Sequence, residues 1–276
     1  MNRARLSRIA LYAVIVVVMV VCLFPFWWMF SLSLKHRVDI FAGPSLIPPD
    51  PTLDNYVQLF QQNHFGSFLT NSIIVVTAST ALSLLIGAPM AYSLARFRLA
   101  GRLNSLGLIA ALLVRIVPAI LLVVPFYLAL ADIGQLNSLP GLILCYTGIN
   151  TSFVVWMMQS FFAEIPKEIE EAALVDGDNR FSAMRRVILP LAAPGFAATA
   201  IFVVVATYNE FLLALTLTGS PKAQTVPVGI STLIGKTQVD WGPMAAAGVI
   251  GVLPILVFAA IAQRQIVRGL TMGAVK

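Results

Sequence analysis

Apolar residues in this chain come in six long blocks, at residues 9–31, 67–95, 104–130, 141–162, 196–218 and 243–262, separated by stretches that carry charge, proline or glycine. About 20 apolar residues in helical rise cover the ~30 Å of bilayer hydrocarbon. Each block therefore predicts a membrane-spanning helix, and the chain an all-α membrane protein. The first block follows Arg3, Arg5 and Arg8, as in a secretory leader. It is too long for a leader core, and it ends in Pro25-Phe26-Trp27-Trp28 rather than at small residues. It predicts a retained helix whose tryptophans lie near the far interface. The second and third blocks exceed the length of one crossing, which predicts tilt or helix extending into water.

The polar intervals differ from one another. Residues 32–66 carry Pro44, Pro48, Pro49 and Pro51 and then a predicted short helix around LDNYVQLF. Residues 219–242 contain Pro221, Pro227 and Gly235 with apolar patches between them, which predicts some order. The most polar interval, residues 163–195, includes EAALVDGDNRFSAMRRVILP. Charged groups and unpaired backbone are costly in hydrocarbon, so this segment folds outside the bilayer core. It reads as helix–turn–helix: helical over 168–175, broken at Gly177, and helical again over 179–189 until Pro190. The tail, residues 263–276, is too polar to continue the last span.

Composition excludes a soluble domain. Charged residues are 11% of the chain and hydrophobic residues 59%, with mean hydropathy +0.89, against roughly 25% charged in soluble domains. The net charge of +6 would point a soluble protein toward nucleic acid. Here its placement gives another cause, and no nucleic acid is expected. Lys and Arg gather at both termini, around Arg96–Arg98–Arg102 and in residues 163–195, while the opposite loops hold only Lys35, Arg37, Lys222 and Lys236. That asymmetry predicts both termini and the 163–195 loop on the cytoplasmic side, with membrane lipid as a constant partner. Cys22 and Cys145 lie in apolar blocks and form neither a disulfide framework nor a metal cluster, and His36 and His64 are loop residues. No metal site is expected. No G-x-x-x-x-G-K-[ST] loop occurs, so the chain binds no ATP in that manner. No nucleophile–base set stands out, which predicts that it is not an enzyme.

Glu171-Ala172-Ala173, then three residues, Gly177, nine residues, and a hydrophobic residue before Leu189-Pro190 resemble the signature loop of permease subunits in binding-protein-dependent ABC importers. Val187 stands where that family usually has Ile. FPFWWMFSLSLK, PTLDNYVQLF, LTNSIIV, AYSLARFRLAGR, ATYNEFLLALTLT and GLTMGAVK extend the resemblance along almost the whole chain, to the carbohydrate-uptake branch and its six-span, maltose-type permease. The resemblance implies a type I importer fold with a cytoplasmic coupling-helix loop, one permease domain over 1–276, and ATPase coupling through Glu171, Ala172, Ala173, Asp176, Gly177, Leu189 and Pro190. Small side chains at Ala172 and Ala173 fit a helix that sits deep in a cleft, and Glu171 offers it a charge. The resemblance further implies an ATPase-contacting tail (Gly269, Leu270, Thr271, Gly273, Ala274) and a loop toward the binding protein (Val228, Ile230, Gly235, Lys236). Its implied partners are a second permease of a different kind, two ATP-binding subunits that hold ATP and Mg, and an extracytoplasmic solute-binding protein. The implied location is a bacterial or archaeal cytoplasmic membrane.

Two ionisable residues fall inside predicted spans, Arg115 and Glu210. Such residues ordinarily face a protein interior or a wet cavity. With Tyr127, Tyr208 and Asn209 they form the candidate solute pathway. Three roles stand open for Asn209 and Glu210: architecture, solute contact, and contact with the binding protein. The competing function is a secondary transporter of a small polar solute, which requires intramembrane acids able to take an ion.

Overall fold

The computed structural model describes the backbone of residues 3–97, 103–235 and 239–273, and side chains within 10–97, 106–235 and 239–261. The helices in chain order are α1 (Arg3–Ser33), α2 (Arg37–Ala42), α3 (Asp54–Gln61), α4 (Phe65–Arg96), α5 (Leu103–Ile116), α6 (Ala119–Asp132), α7 (Leu139–Glu164), α8 (Lys167–Val175), α9 (Arg180–Ala183), α10 (Leu189–Leu191), α11 (Ala193–Tyr208), α12 (Leu212–Leu217), α13 (Val226–Ser231) and α14 (Trp241–Gly273). Among the described residues, four helices are long and apolar enough to cross a membrane, and two bent pairs bring the number to six.

One bend and one break correct an expected continuous helix. The block at 104–130 is two helices meeting at 96°. Pro118 is the cause: it is extended (φ −58°, ψ 135°), lacks an N–H, and disfavours helix at Val117. The block at 196–218 stops at Tyr208 and restarts at Leu212. There the Glu210 carboxylate accepts from the Leu213 and Ala214 amides at 2.8 and 3.1 Å, replacing the helical partners those groups lack. The other bend, 72°, separates the segment ending at Leu191 from α11. Polarity does not end the last helix, since the backbone of α14 stays helical to Gly273. Arginine and glutamine are good helix formers, so a helix can leave hydrocarbon without breaking.

The chain divides into two compact units, 1–66 with 229–253 and 67–228 with 254–276. In the first, the Tyr56 and Ser33 hydroxyls are hydrogen-bonded at 2.7 Å, and Asn55 Nδ2 donates to the carbonyls of Ser33 and Lys35 at 2.9 and 2.8 Å. Gly242 leaves room for the Asn55 amide, which a Cβ would strike. Lys35, one of the few charges of the opposite loops, is buried: its Nζ donates to the Ser45 carbonyl at 2.6 Å and lies 5.1 Å from the Trp28 ring centre.

The second unit has two apolar clusters. One joins Ala88, Ala91 and Tyr92 of α4 to Val154, Met158 and Phe162 of α7, with Ile188 and Val203. The other gathers Val75, Leu130, Leu142, Tyr146, Leu213 and Leu217. Gly87 lets α4 and α7 approach closely, because a Cβ there would lie 2.7 Å from Val154 Cγ1. Between the clusters the Asn150 amide donates to the Thr207 hydroxyl at 2.8 Å, a buried polar tie between α7 and α11.

Candidate functional site

The polar hairpin of residues 163–195 is built by local rules. Pro166 precedes α8, and Glu168 and Glu170 in its first turn suit the positive end of the helix dipole. Gly177 follows with φ +97°, in the left-handed region as a breaker requires. Its N–H donates to the Leu174 carbonyl at 3.2 Å, and the Asp178 N–H donates to the Ala173 carbonyl at 3.0 Å. These are the paired bonds of a Schellman cap. Asn179 then caps α9, its Oδ1 accepting from the Ser182 N–H at 2.9 Å. Asp178 Oδ1 accepts from the Ser182 hydroxyl at 2.5 Å and lies 3.5 Å from Arg186 Nη1.

The second limb does not stop at Pro190 as expected. It widens into a π-turn at Met184–Ile188, where the Leu189 N–H reaches back five residues to the Met184 carbonyl, and runs on to Leu191. A wider turn accommodates a proline that has no N–H to offer and whose ring crowds the preceding turn.

Burial sorts the expected coupling residues. Glu171, Ala172, Asp176, Gly177 and Pro190 are exposed, and Leu189 is half-buried. Ala173 departs from expectation: at 9% exposure it turns inward and shares no open face with Ala172. Two apolar residues overlooked in the sequence stand fully out, Val175 at 87% and Phe181 at 75%. Their signal was available, since both break the polar run at the hairpin's turn.

Glu170, also overlooked, anchors the hairpin. Its Oε1 accepts from the Tyr92 hydroxyl at 2.5 Å, and its Oε2 lies 3.0 Å from Arg96 Nε. The Arg96 pairing is an ion pair whose angle falls short of a hydrogen bond. Arg96 Nη1 donates to the Ile165 carbonyl at 2.9 Å.

The candidate pathway residues do not converge on one another. Glu210 meets the Tyr146 hydroxyl at 2.6 Å and caps α12, and it forms no ion pair with Arg115 among the described residues. Arg115 is exposed, with its guanidinium 4.6 Å from the Phe153 ring centre. Tyr127 is exposed, Tyr208 is buried, and Asn209 is exposed with its amide donating to the Val205 carbonyl at 2.8 Å.

The loop at 219–242 is more packed than its sequence suggests. Asn71 donates to the carbonyls of Pro221 and Gln224, and the Val226 N–H donates to the Ser72 hydroxyl. Val228, expected to face outward, is wholly buried; Ile230 is half-buried, while Ile234 and Gly235 are exposed. Lys236 and Ala274 lie outside the described residues, and of the tail only the helical backbone to Gly273 is described. Among the described residues no three His, Cys, Asp or Glu side chains form a metal site.

A set of apolar helices, two of them broken, carrying an exposed polar hairpin defines a multi-span membrane protein. Residues 83–272 match the family described as the binding-protein-dependent transport system inner membrane component. The chain is 41% identical over 256 residues to the trehalose transport system permease protein SugB of Mycobacterium tuberculosis, with 92% of each chain covered. It is 36% identical over 279 residues to the trehalose/maltose transport system permease protein MalG of Thermococcus litoralis, covering all of this chain and 99% of that one. Its fold matches that of a chain in the crystal structure of a bacterial ABC transporter involved in the import of the acidic polysaccharide alginate. That match has a TM-score of 0.80 and 22% identity, with 96% of this chain and 98% of the other covered. The protein belongs to the family of binding-protein-dependent transport system inner membrane components. It is a non-catalytic ABC importer permease, and the ATPase of such systems is a separate subunit.

Proposed function

We propose that this permease imports a sugar or related solute by alternating access, driven by ATPase subunits that grip the hairpin of residues 163–195. The observation that carries the coupling is the hairpin's open face. Val175 and Phe181 are exposed on the hairpin, as are Glu171, Ala172 and Gly177, and two large apolar side chains held out on a polar hairpin suit a surface that a partner covers. Closure of an ATPase pair on ATP and Mg then moves the hairpin, and the spans follow by rigid-body rocking. Sugar as the solute rests on the names of the relatives, which are trehalose and trehalose/maltose permeases.

The remaining parts follow the family plan. The whole of 1–276 acts as one permease domain beside a second, different permease. The solute-binding protein docks on the side where Ile234 and Gly235 are exposed, with Lys236 in the same loop. The tail around Gly269, Leu270, Thr271, Gly273 and Ala274 adds an ATPase contact, and both termini are cytoplasmic. Nothing favours a gradient-driven carrier, because the carboxylate of Glu210 is already taken by two backbone amides and a tyrosine.

The test is Ala172→Trp, which adds bulk on the open face without entering the buried one. The expected outcome is a membrane-inserted permease that no longer co-purifies its ATPase. Wild-type co-purification and hydrolysis in this variant would overturn the docking assignment.

A further inference from the structure

We propose that Tyr92, Arg96 and Glu170 form a latch that makes α8 and the end of α4 one rigid piece, passing hairpin motion directly to a membrane-spanning helix. The inference rests on the docking role proposed for the hairpin and adds the route by which its movement leaves it.

Glu170 spends its two oxygens on two different side chains, Oε1 on the Tyr92 hydroxyl at 2.5 Å and Oε2 on Arg96 Nε at 3.0 Å. Both partners lie on α4, four residues apart, and so on one face of that helix. Arg96 Nη1 reaches the Ile165 carbonyl at 2.9 Å, one residue before Pro166. The end of α4 thus holds both the approach to α8 and its first turn. The set is dry: the side chains of Arg96 and Glu170 are 3% and 6% exposed, and Tyr92 is 5% exposed. The Tyr92 ring also meets Phe162 of α7 edge-on at 5.7 Å. A surface ion pair gives way easily because water replaces either partner. A buried carboxylate with two partners has no such substitute, so the three groups separate together or not at all.

The neighbouring glutamate sharpens the assignment. Glu171 is exposed while Glu170 is buried. Adjacent helical positions point about 100° apart, so one acid grips the span and the next is presented outward. The hairpin's own bonds, the Schellman cap and Asp178–Ser182, hold its two limbs together but do not tie either to α4.

The experiment uses the full complex with its ATPase, in a Cys22→Ser, Cys145→Ala background. Spin labels go at Met90→Cys on α4 and Glu168→Cys in the first turn of α8, both exposed positions outside the face assigned to the ATPase. Their separation is measured by pulsed dipolar spectroscopy without nucleotide and after vanadate trapping with Mg-ATP. The expected result is one narrow distance, the same in both states. Glu170→Gln should broaden it and make it state-dependent while the ATPase still co-purifies. The exchanged pair Arg96→Glu with Glu170→Arg should narrow it again. If Glu170→Gln does not assemble, Tyr92→Phe, which keeps the ring and the ion pair, carries the same comparison. A wild-type separation that changes between states, or variants that leave it narrow and fixed, overturns the latch and leaves docking intact. Loss of ATPase binding by the wild-type chain overturns docking and the latch with it.

Discussion

Glu210 shows how a single side chain can start a new helix inside an apolar block. Its carboxylate accepts from the Leu213 and Ala214 amides and meets the Tyr146 hydroxyl. Removing it leaves buried donors without partners, each costing about 1–3 kcal/mol. Glu210→Ala should therefore lower the yield of monodisperse permease and its thermal midpoint, whereas Glu210→Gln, with one acceptor oxygen left, should lose much less. Equal loss in both variants, measured by size-exclusion profile and thermal melt, would remove the capping role. Residue-scale facts like this were the least legible ones. Residues 211–218 are as apolar as those before Asn209, so hydropathy passes over the break. Nothing in the pair Glu170-Glu171 tells which acid faces inward, because that depends on where α4 places Tyr92 and Arg96. The burial of Lys35 was illegible for the same reason: it depends on the Ser45 carbonyl and Trp28, neither of which spacing predicts.

At the scale of elements, spans were legible and bends were not. Four of the six apolar blocks are long unbroken helices, the block at 104–130 is a bent pair, and the block at 196–218 breaks after Tyr208, since hydropathy reports length and not straightness. Gly177 was legible at once, because a glycine between two helical runs has one usual reason to be there, and its positive φ bears that out. Gly87 gave no such signal inside a long apolar helix. Its reason is a neighbour, as a Cβ would lie 2.7 and 2.8 Å from Val154 Cγ1 and Cβ and 3.2 Å from the Thr151 carbonyl. Val154 is fully buried and cannot move aside. Gly87→Ala should push α4 from α7 at a cost of about 1–3 kcal/mol, as overpacking does. The thermal midpoint of the purified permease should fall, and Gly87→Ala with Val154→Ala should recover part of it. Additive losses in the double variant would show that the two residues are not in conflict.

For the whole molecule, the charge asymmetry predicts which side each loop occupies, and the docking proposed above puts the hairpin on the side of the ATPase. In the same cysteine-substituted background, Val175→Cys should react with a membrane-impermeant maleimide in inside-out vesicles and be protected in right-side-out ones. Lys222→Cys, in the opposite loop and exposed, should show the reverse. Labelling of both from one side would invert or break the topology proposed above. The apolar face of α1 is consistent with a membrane setting: none of the apolar window in Ala10–Ser33 is buried by the chain itself. In a soluble protein such a helix would be a large exposed patch, whereas in a bilayer lipid or a neighbouring subunit covers it.

The opposite directions of Glu170 and Glu171 have an evolutionary corollary. Surface loops ordinarily tolerate gain or loss of residues. This one should not, because a single residue inserted between Pro166 and Glu170 turns the rest of α8 by about 100°. The inward acid then swings off Arg96, and its neighbour rotates out of the presented face. Selection should hold the length of that short stretch constant even where it leaves the identity of its exposed residues free to drift.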